Sequence, residues 1–291
     1  MQNPWIEAMR LRTLPVSVAG VIAGTACAIF YGGFDRIPAV CCLLFALGAQ
    51  IASNFANEYF DFRNGLDRRG RDGFRRGVAE GDISPRAMLR ATIVALALAA
   101  LPGLVLIAYA GWWLIAVGVL VGIFALAYSA GPYPLSHHGL GDVAVVVFFG
   151  LVPVGFTAWL QTGTTAVLPL ACAVGAGVGL LAANVLIVNN YRDADDDRAV
   201  GKRTTVVIFG RPAMRKVYGL FSAAGITLMC APAAEGHYWS LMPLLLGFAA
   251  WRAFRNMGRM KGSELNGLLR QTAILLLGAS LLTLVGVLLP G

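Results

Sequence analysis

Fifteen carboxylates are spread over 291 residues, and ten of them fall in two short segments. Glu58, Asp61, Asp67, Asp72, Glu80 and Asp82 form the first; Asp193, Asp195, Asp196 and Asp197 form the second. The first reads Ser53-Asn54-Phe55-Ala56-Asn57-Glu58-Tyr59-Phe60-Asp61 and runs on to Asp67. On a helix, Asn54, Asn57, Glu58 and Asp61 share a face. The second reads Asn189-Asn190-Tyr191-Arg192-Asp193 and runs on to Asp197, so Asn189, Asp193 and Asp197 share a face at i, i+4, i+8. Like charges at that spacing repel, and a divalent cation between them removes the repulsion. Magnesium suits the arrangement, being an oxygen-seeking ion held by a few carboxylates plus substrate phosphates. Any one of these acids also reads as a solvated loop charge balancing an arginine; the pair of matched ladders is what points to a site.

Asp61, Asp193 and Asp197 are the expected catalytic carboxylates and direct metal ligands. Asn57, Glu58, Asp67 and Asn189 complete the expected metal-binding set. Arg75, Arg76, Lys202 and Arg203 flank the ladders, and Arg12 precedes the first apolar stretch. They are expected to meet phosphate oxygens that the metal leaves free. Anchoring to lipid headgroups is the alternative for each, and it suits Arg252, Arg255 and Arg259 better.

Positioning these groups falls to a chain that is 58% hydrophobic and 13% charged, with a mean hydropathy of +0.71. That is too little polar material to coat a soluble globule. The expected class is an all-α polytopic membrane protein. Nine stretches are long and apolar enough to span, at roughly 13–31, 38–59, 88–109, 111–130, 139–160, 165–190, 213–232, 237–254 and 267–289. The first resembles a signal peptide in its flanks, but the stretches that follow favour a retained helix. The ladders close the second and sixth stretches. Four stretches separate them, which predicts two weak four-helix repeats plus a ninth helix around a central cavity, as a single domain over 1–291.

With nine spans, 22 of the 23 Lys and Arg fall on one side and only Arg36 on the other. Basic residues collect on the cytoplasmic side. The N-terminus and the ladder loops are therefore expected in the cytoplasm and the C-terminus outside, in the cell inner (cytoplasmic) membrane. Membrane topology then explains the net charge of +8 without nucleic acid. The five cysteines sit in apolar stretches and read as buried hydrophobes. Gly20, Gly24, Gly175, Gly177 and Gly179 are expected to let helices approach closely. A transporter is the competing class, but it predicts acids near the bilayer midplane, whereas here they sit at span ends.

At these residues the chain resembles the UbiA superfamily of intramembrane prenyltransferases. Four stretches carry the likeness: Arg10-Leu-Arg-Thr-Leu-Pro15; Asn57 through Asp61 to Asp67; Tyr128-Ser-Ala-Gly-Pro-Tyr-Pro-Leu135 leading to Gly139-Leu-Gly-Asp142; and Asn189-Asn-Tyr-Arg-Asp193 through Asp197-Arg198 to Gly201-Lys-Arg-Thr204. Glu58 stands where the family usually has Asp, and the last acid of the first motif falls late, at Asp67. That spacing resembles the family's naphthoate branch.

The resemblance implies Mg2+-dependent transfer of a polyprenyl group from polyprenyl diphosphate to 1,4-dihydroxy-2-naphthoate, with loss of its carboxylate, giving demethylmenaquinone. Another aromatic acceptor such as 4-hydroxybenzoate is the alternative. Tyr59, Tyr128, Tyr133, Phe148, Phe149 and Tyr191 are candidate faces for the allylic cation, though aromatics at helical spacing also simply pack. Residues 129–141 are expected to cap the cavity. Asn54, Tyr128, Tyr133, His137, His138 and Asp142 are the residues expected to bind the acceptor or form that cap. The apolar tail is expected in a groove open to membrane lipid.

Overall fold

The computed structural model describes residues 3–67 and 75–290. Arg68, Arg69, Arg71 and Asp72 of the first polar segment lie outside the described residues. Helices are the only regular structure, with no strand, among the described residues. The main ones are α1 (Leu14–Phe30), α2 (Arg36–Arg63), α3 (Pro85–Ala110), α4 (Leu114–Ala127), α5 (the continuous helical run Gly141–Thr162), α6 (Leu168–Ala199), α7 (Arg211–Met229), α8 (Gly247–Met257) and α9 (Leu265–Leu288).

Local sequence fixes their ends. Asp35 caps α2 by accepting from the Ile37 N–H at 2.9 Å. Ser84 caps α3 by accepting from Ala87, and Pro85 opens that helix, where its missing N–H costs nothing. Gly111 and Gly163 end α3 and α5 at positive φ, a conformation glycine adopts without strain.

Among the described residues, seven helical segments are long and apolar enough to cross a membrane, against the nine expected from hydropathy. The fourth expected span is shortened to α4, 14 residues. The eighth is divided between a 3-10 run, Tyr238–Leu246, and α8. Pro243 sits inside the 3-10 run and removes a backbone donor there.

The helix pairs that pack most extensively are α5 with α6, α2 with α3 and α6 with α7; α1 lies against α5 and α9. Most of α6 is buried, whereas α3 turns Ile93, Val94, Leu98 and Leu101 outward. Lipid accommodates that exposure, so the chain is an integral membrane protein. The glycines on α1 and α6 sit at close crossings. A Cβ on Gly24 would fall 2.7 Å from the Val154 carbonyl, and one on Gly177 2.7 Å from the Gly225 carbonyl.

Within α5, residues Val146–Leu151 form a π-helical turn. Its cause is written just downstream. Pro153 has no N–H to donate to the Phe149 carbonyl, and a widened turn relieves its ring clash with the preceding turn. The widened turn meets α6 at Gly150, where a Cβ would lie 2.3 Å from the Gly175 carbonyl oxygen. Phe148 and Phe149 ride on this turn.

Candidate active site

Helices α1 to α6 enclose a cavity of about 570 Å³, to which α9 adds Leu269. Along α2 it runs from Asp61 to Cys42, nineteen residues or about 28 Å of helix. Its head is polar, lined by Arg10, Asn57, Asp61, Arg76, Asp193 and Lys202. Its body is apolar, lined by Phe45, Leu104, Leu114, Phe124, Phe148 and Phe156. The two sequence ladders thus meet at one end of a long greasy chamber.

Asn57 is the hub of the first ladder. It accepts from the Arg10 guanidinium, and its amide donates to Asp61 Oδ2 at 3.1 Å and to Ser129 Oγ at 2.8 Å. Arg10 holds a left-handed backbone (φ 51°), the only non-glycine residue at positive φ among the described residues. This turn joins the short helix Pro4–Met9 to the next and brings the guanidinium to Asn57. Strained backbone of this kind concentrates at functional sites. Asn54 also lines the cavity and ties α2 to the N-terminal turn by donating to the Met9 carbonyl at 2.9 Å.

Asp61 is 2% exposed. Its Oδ1 is buried and accepts no hydrogen bond; His137 Nε2 lies 3.5 Å away. A buried carboxylate oxygen left in that state is costly without a further partner, and a hard cation is one that fits. Glu58 turns elsewhere. It accepts from the Val78 N–H at 3.0 Å and is 1% exposed, so its longer side chain anchors the short helix Gly77–Glu80. Asp67, also buried, lies 3.4 Å from Arg76 Nε. Neither Glu58 nor Asp67 lines the cavity; both hold the segment that brings Arg76 to it.

The second ladder is organised by Arg192, 7% exposed. Its guanidinium donates to both oxygens of Asp193, at 2.6 and 2.8 Å, to Asn189 Oδ1 at 2.9 Å and to Asn266 Oδ1 at 2.6 Å. Such a planar fork fixes a carboxylate's orientation as well as its charge. Asn189 and Asp193 line the cavity. Asp197 is buried behind them, 4.0 Å from Lys202 Nζ, and its carbonyl accepts the Lys202 N–H at 2.8 Å.

Residues 128–142 cross the cavity head. Tyr128 and Ser136 line it. His137 faces Asp61, and its carbonyl accepts the Arg203 N–H at 3.0 Å. Asp142 accepts from the Thr205 hydroxyl. The loop is therefore latched to the segment after α6 at His137 and again at Asp142, its C-terminal end. His138 and Tyr133 stack on each other at 3.6 Å, and Tyr133 is exposed. Of the aromatic candidates, Tyr128, Phe148 and Phe149 line the cavity. Tyr59 packs on Phe60, and Tyr191 lies under Arg211.

The cations divide similarly. Arg76 and Lys202 line the head, joined by Arg10. Arg75 pairs with Asp82 at 2.6 Å, and Arg203 is exposed. Arg12 lines a separate groove outside the bundle. Sequence reading passed over Arg10 and Arg192, counting them only as charges of one membrane face. Adjacency offered a signal: Arg192 directly precedes Asp193, and Arg10 opens the first of the four stretches that carry the family likeness.

No three His, Cys, Asp or Glu among the described residues form a metal-holding group by themselves. The head instead offers a single carboxylate from α2 and a single carboxylate from α6, with amide oxygens and three cations around them. A ligand rich in oxygens is needed to complete such a set. A diphosphate with magnesium has that chemistry.

Residues 17–276 match the sequence model of the UbiA prenyltransferase family. The chain is 39% identical over 220 residues to the 1,4-dihydroxy-2-naphthoate octaprenyltransferase of Escherichia coli (strain K12), covering 74% of this chain and 71% of that one. It is 33% identical over 301 residues to the protein of the same name from Haemophilus influenzae, covering 98% and 96%. In fold it is similar to a UbiA homolog from Archaeoglobus fulgidus solved with GPP and Mg2+, with a TM-score of 0.67 at 19% identity over 99% of this chain and 100% of that one.

Proposed function

The chain belongs to the UbiA prenyltransferase family, and on that premise we propose that it transfers a polyprenyl group from polyprenyl diphosphate to 1,4-dihydroxy-2-naphthoate in menaquinone biosynthesis. The observation that carries this reading is the cavity, polar and cationic at one end and apolar along about 28 Å of α2. A diphosphate head and an isoprenoid tail have that shape and polarity. The named relatives supply the acceptor.

In the reaction the allylic C–O bond breaks, diphosphate leaves, and the electron-rich ring bonds to the prenyl carbon. The ring's carboxylate departs as carbon dioxide, and the product is the reduced form of demethylmenaquinone. Arg10, Arg76 and Lys202 meet the leaving diphosphate as its charge grows. Asp61 and Asp193, with Asn57, Asn189 and Asp197 behind them, would hold magnesium, which when bound neutralises diphosphate oxygens as a Lewis acid. Arg192 keeps both oxygens of Asp193 in register. Glu58 and Asp67 act one step back, through the segment that carries Arg76. Tyr128, Phe148 and Phe149 present ring faces to the developing allylic cation and keep water from it. The 128–142 loop closes the head over the acceptor, with His137 facing the chemistry.

Nine crossings, with the N-terminus and the site loops in the cytoplasm and the C-terminus outside, fit this reading in the cell inner membrane. The segments after α2 and α6 both reach the same cavity head as Arg10, as a shared membrane face requires.

The test is turnover by purified protein in liposomes, with prenyl diphosphate, magnesium and several aromatic acceptors, and products identified by mass spectrometry. The naphthoate is expected to be prenylated and decarboxylated fastest. Faster turnover of 4-hydroxybenzoate at matched donor overturns the acceptor; no prenylated product from any ring overturns the reaction.

A further inference from the structure

A second concavity, of about 560 Å³, lies outside the bundle between the start of α1 and the first turns of α9. Leu11, Arg12 and Pro15 form one wall, and Asn266, Gly267, Arg270, Ala273 and Ile274 form the other. Two guanidinium groups, Arg12 and Arg270, line it, with no carboxylate among the described lining residues. It lies level with the cavity head, because Arg12 follows Arg10 by two residues and Asn266 accepts from Arg192. Below Arg270 the same face of α9 carries Ile274, Leu281, Val285 and Leu288, spaced by helical turns and all exposed. The arrangement is a pair of cations at the membrane border above an apolar rail running into the bilayer.

We propose that this groove is a binding site for an anionic phospholipid. Its phosphate lies between Arg12 and Arg270, and an acyl chain follows Ile274 and Leu281 down α9. Basic pockets between membrane helices on the cytoplasmic side bind acidic headgroups in this way, and guanidinium matches phosphate oxygens bidentately. The apolar rail selects a lipid over a free anion, since inorganic phosphate has nothing to lay against it. Charge selects an acidic headgroup over a zwitterionic one. Asn266 forms part of the groove and also accepts from Arg192, so the lipid rests against a side chain one hydrogen bond away from the guanidinium that holds Asp193.

Native mass spectrometry of the full chain tests this without reference to prenyl transfer. The detergent-solubilised protein is titrated with phosphatidylglycerol, phosphatidylcholine and inorganic phosphate. The wild type is expected to retain one phosphatidylglycerol in preference to phosphatidylcholine, undisturbed by millimolar phosphate. R12Q/R270Q is expected to lose that preference by about tenfold or more. R252Q/R255Q removes the same charge elsewhere on the basic side and is expected to keep it. Equal loss in both double variants means diffuse surface attraction and overturns the site, as does unchanged retention in R12Q/R270Q. Displacement by inorganic phosphate overturns the lipid assignment. If R12Q/R270Q does not fold, R270Q is expected to weaken retention and R270K to restore most of it; equal retention in both overturns the proposal.

Discussion

Gly150→Ala is a one-carbon change whose consequence follows from distances. The new Cβ would stand 2.3 Å from the Gly175 carbonyl oxygen and 2.6 Å from both the Cα and N of Gly179. Ordinary contact begins near 3.4 Å, so the shortfall is about 1.1 Å. All three obstacles are backbone atoms of α6, and no side chain can rotate out of the way. Helices α5 and α6 must separate by about an ångström at their crossing, and overpacking of this kind costs about 1–3 kcal/mol. The midpoint of thermal unfolding should fall by about 2–10 °C. The same shift moves Phe148 and Phe149 relative to Asp193, and a misplacement of that size lowers turnover by up to about a hundredfold. A thiol-reactive fluorophore gives the unfolding curve, because Cys27, Cys41, Cys42 and Cys230 are buried while Cys172 sets the baseline. Gly155→Ala, on the same helix, is the control. Its Cβ meets nothing within 4 Å, and alanine favours the helix by up to about 1 kcal/mol. If Gly150→Ala melts and turns over like Gly155→Ala, the close crossing is not there and the reasoning fails.

Asp61→Ala and Asp193→Ala should each lower turnover about a thousandfold at limiting magnesium, several kcal/mol of lost charge stabilisation; the unfolding curve should stay in place in Asp61→Ala and move down in Asp193→Ala, which leaves the buried Arg192 without its carboxylate, and near-native rates in both would remove the site. Arg192→Lys should keep a charge but lose the fork, so the magnesium needed for half-maximal rate should rise about 10–100-fold. Titrating magnesium against rate checks it, and an unchanged requirement would separate Arg192 from Asp193. Gly118 and Gly122 line the apolar body with open space at their Cβ positions, so Gly118→Phe should favour shorter prenyl diphosphates by about tenfold in relative kcat/KM. Equal preference across donor lengths would mean the tail lies elsewhere.

Periodicity made the ladders legible. Asn57, Asp61, Asn189 and Asp193 do share helix faces and do line one cavity head, because helical geometry alone dictates which residues align. Glu58 shows the limit of that argument. It sits on the expected face, but a backbone N–H twenty residues later captures it, a contact no local pattern encodes. Arg192 and Arg10 escaped for a related reason. A basic residue at a membrane border reads as topology, and only the fold reveals which guanidinium turns inward to a carboxylate or an amide. Hydropathy found every apolar stretch but measured greasiness rather than hydrogen bonding. It therefore reads 237–254 as one uniform helix, where the backbone begins as a 3-10 run with Pro243 inside.

The fourteen residues of α4 measure about 21 Å, whereas a bilayer's hydrocarbon core is about 30 Å thick. With α4 as a crossing, that mismatch has to be absorbed by the surrounding lipid, which dimples towards the helix at an energetic cost that grows with bilayer thickness. Trp112 and Trp113, both exposed, sit just ahead of its first turn and suit the displaced interface. The thinnest part of the protein's lipid collar thus lies against a helix that lines the chamber for the tail. Membrane thickness becomes a physical setting on that wall, felt first by α4 and least by the deeply packed α6.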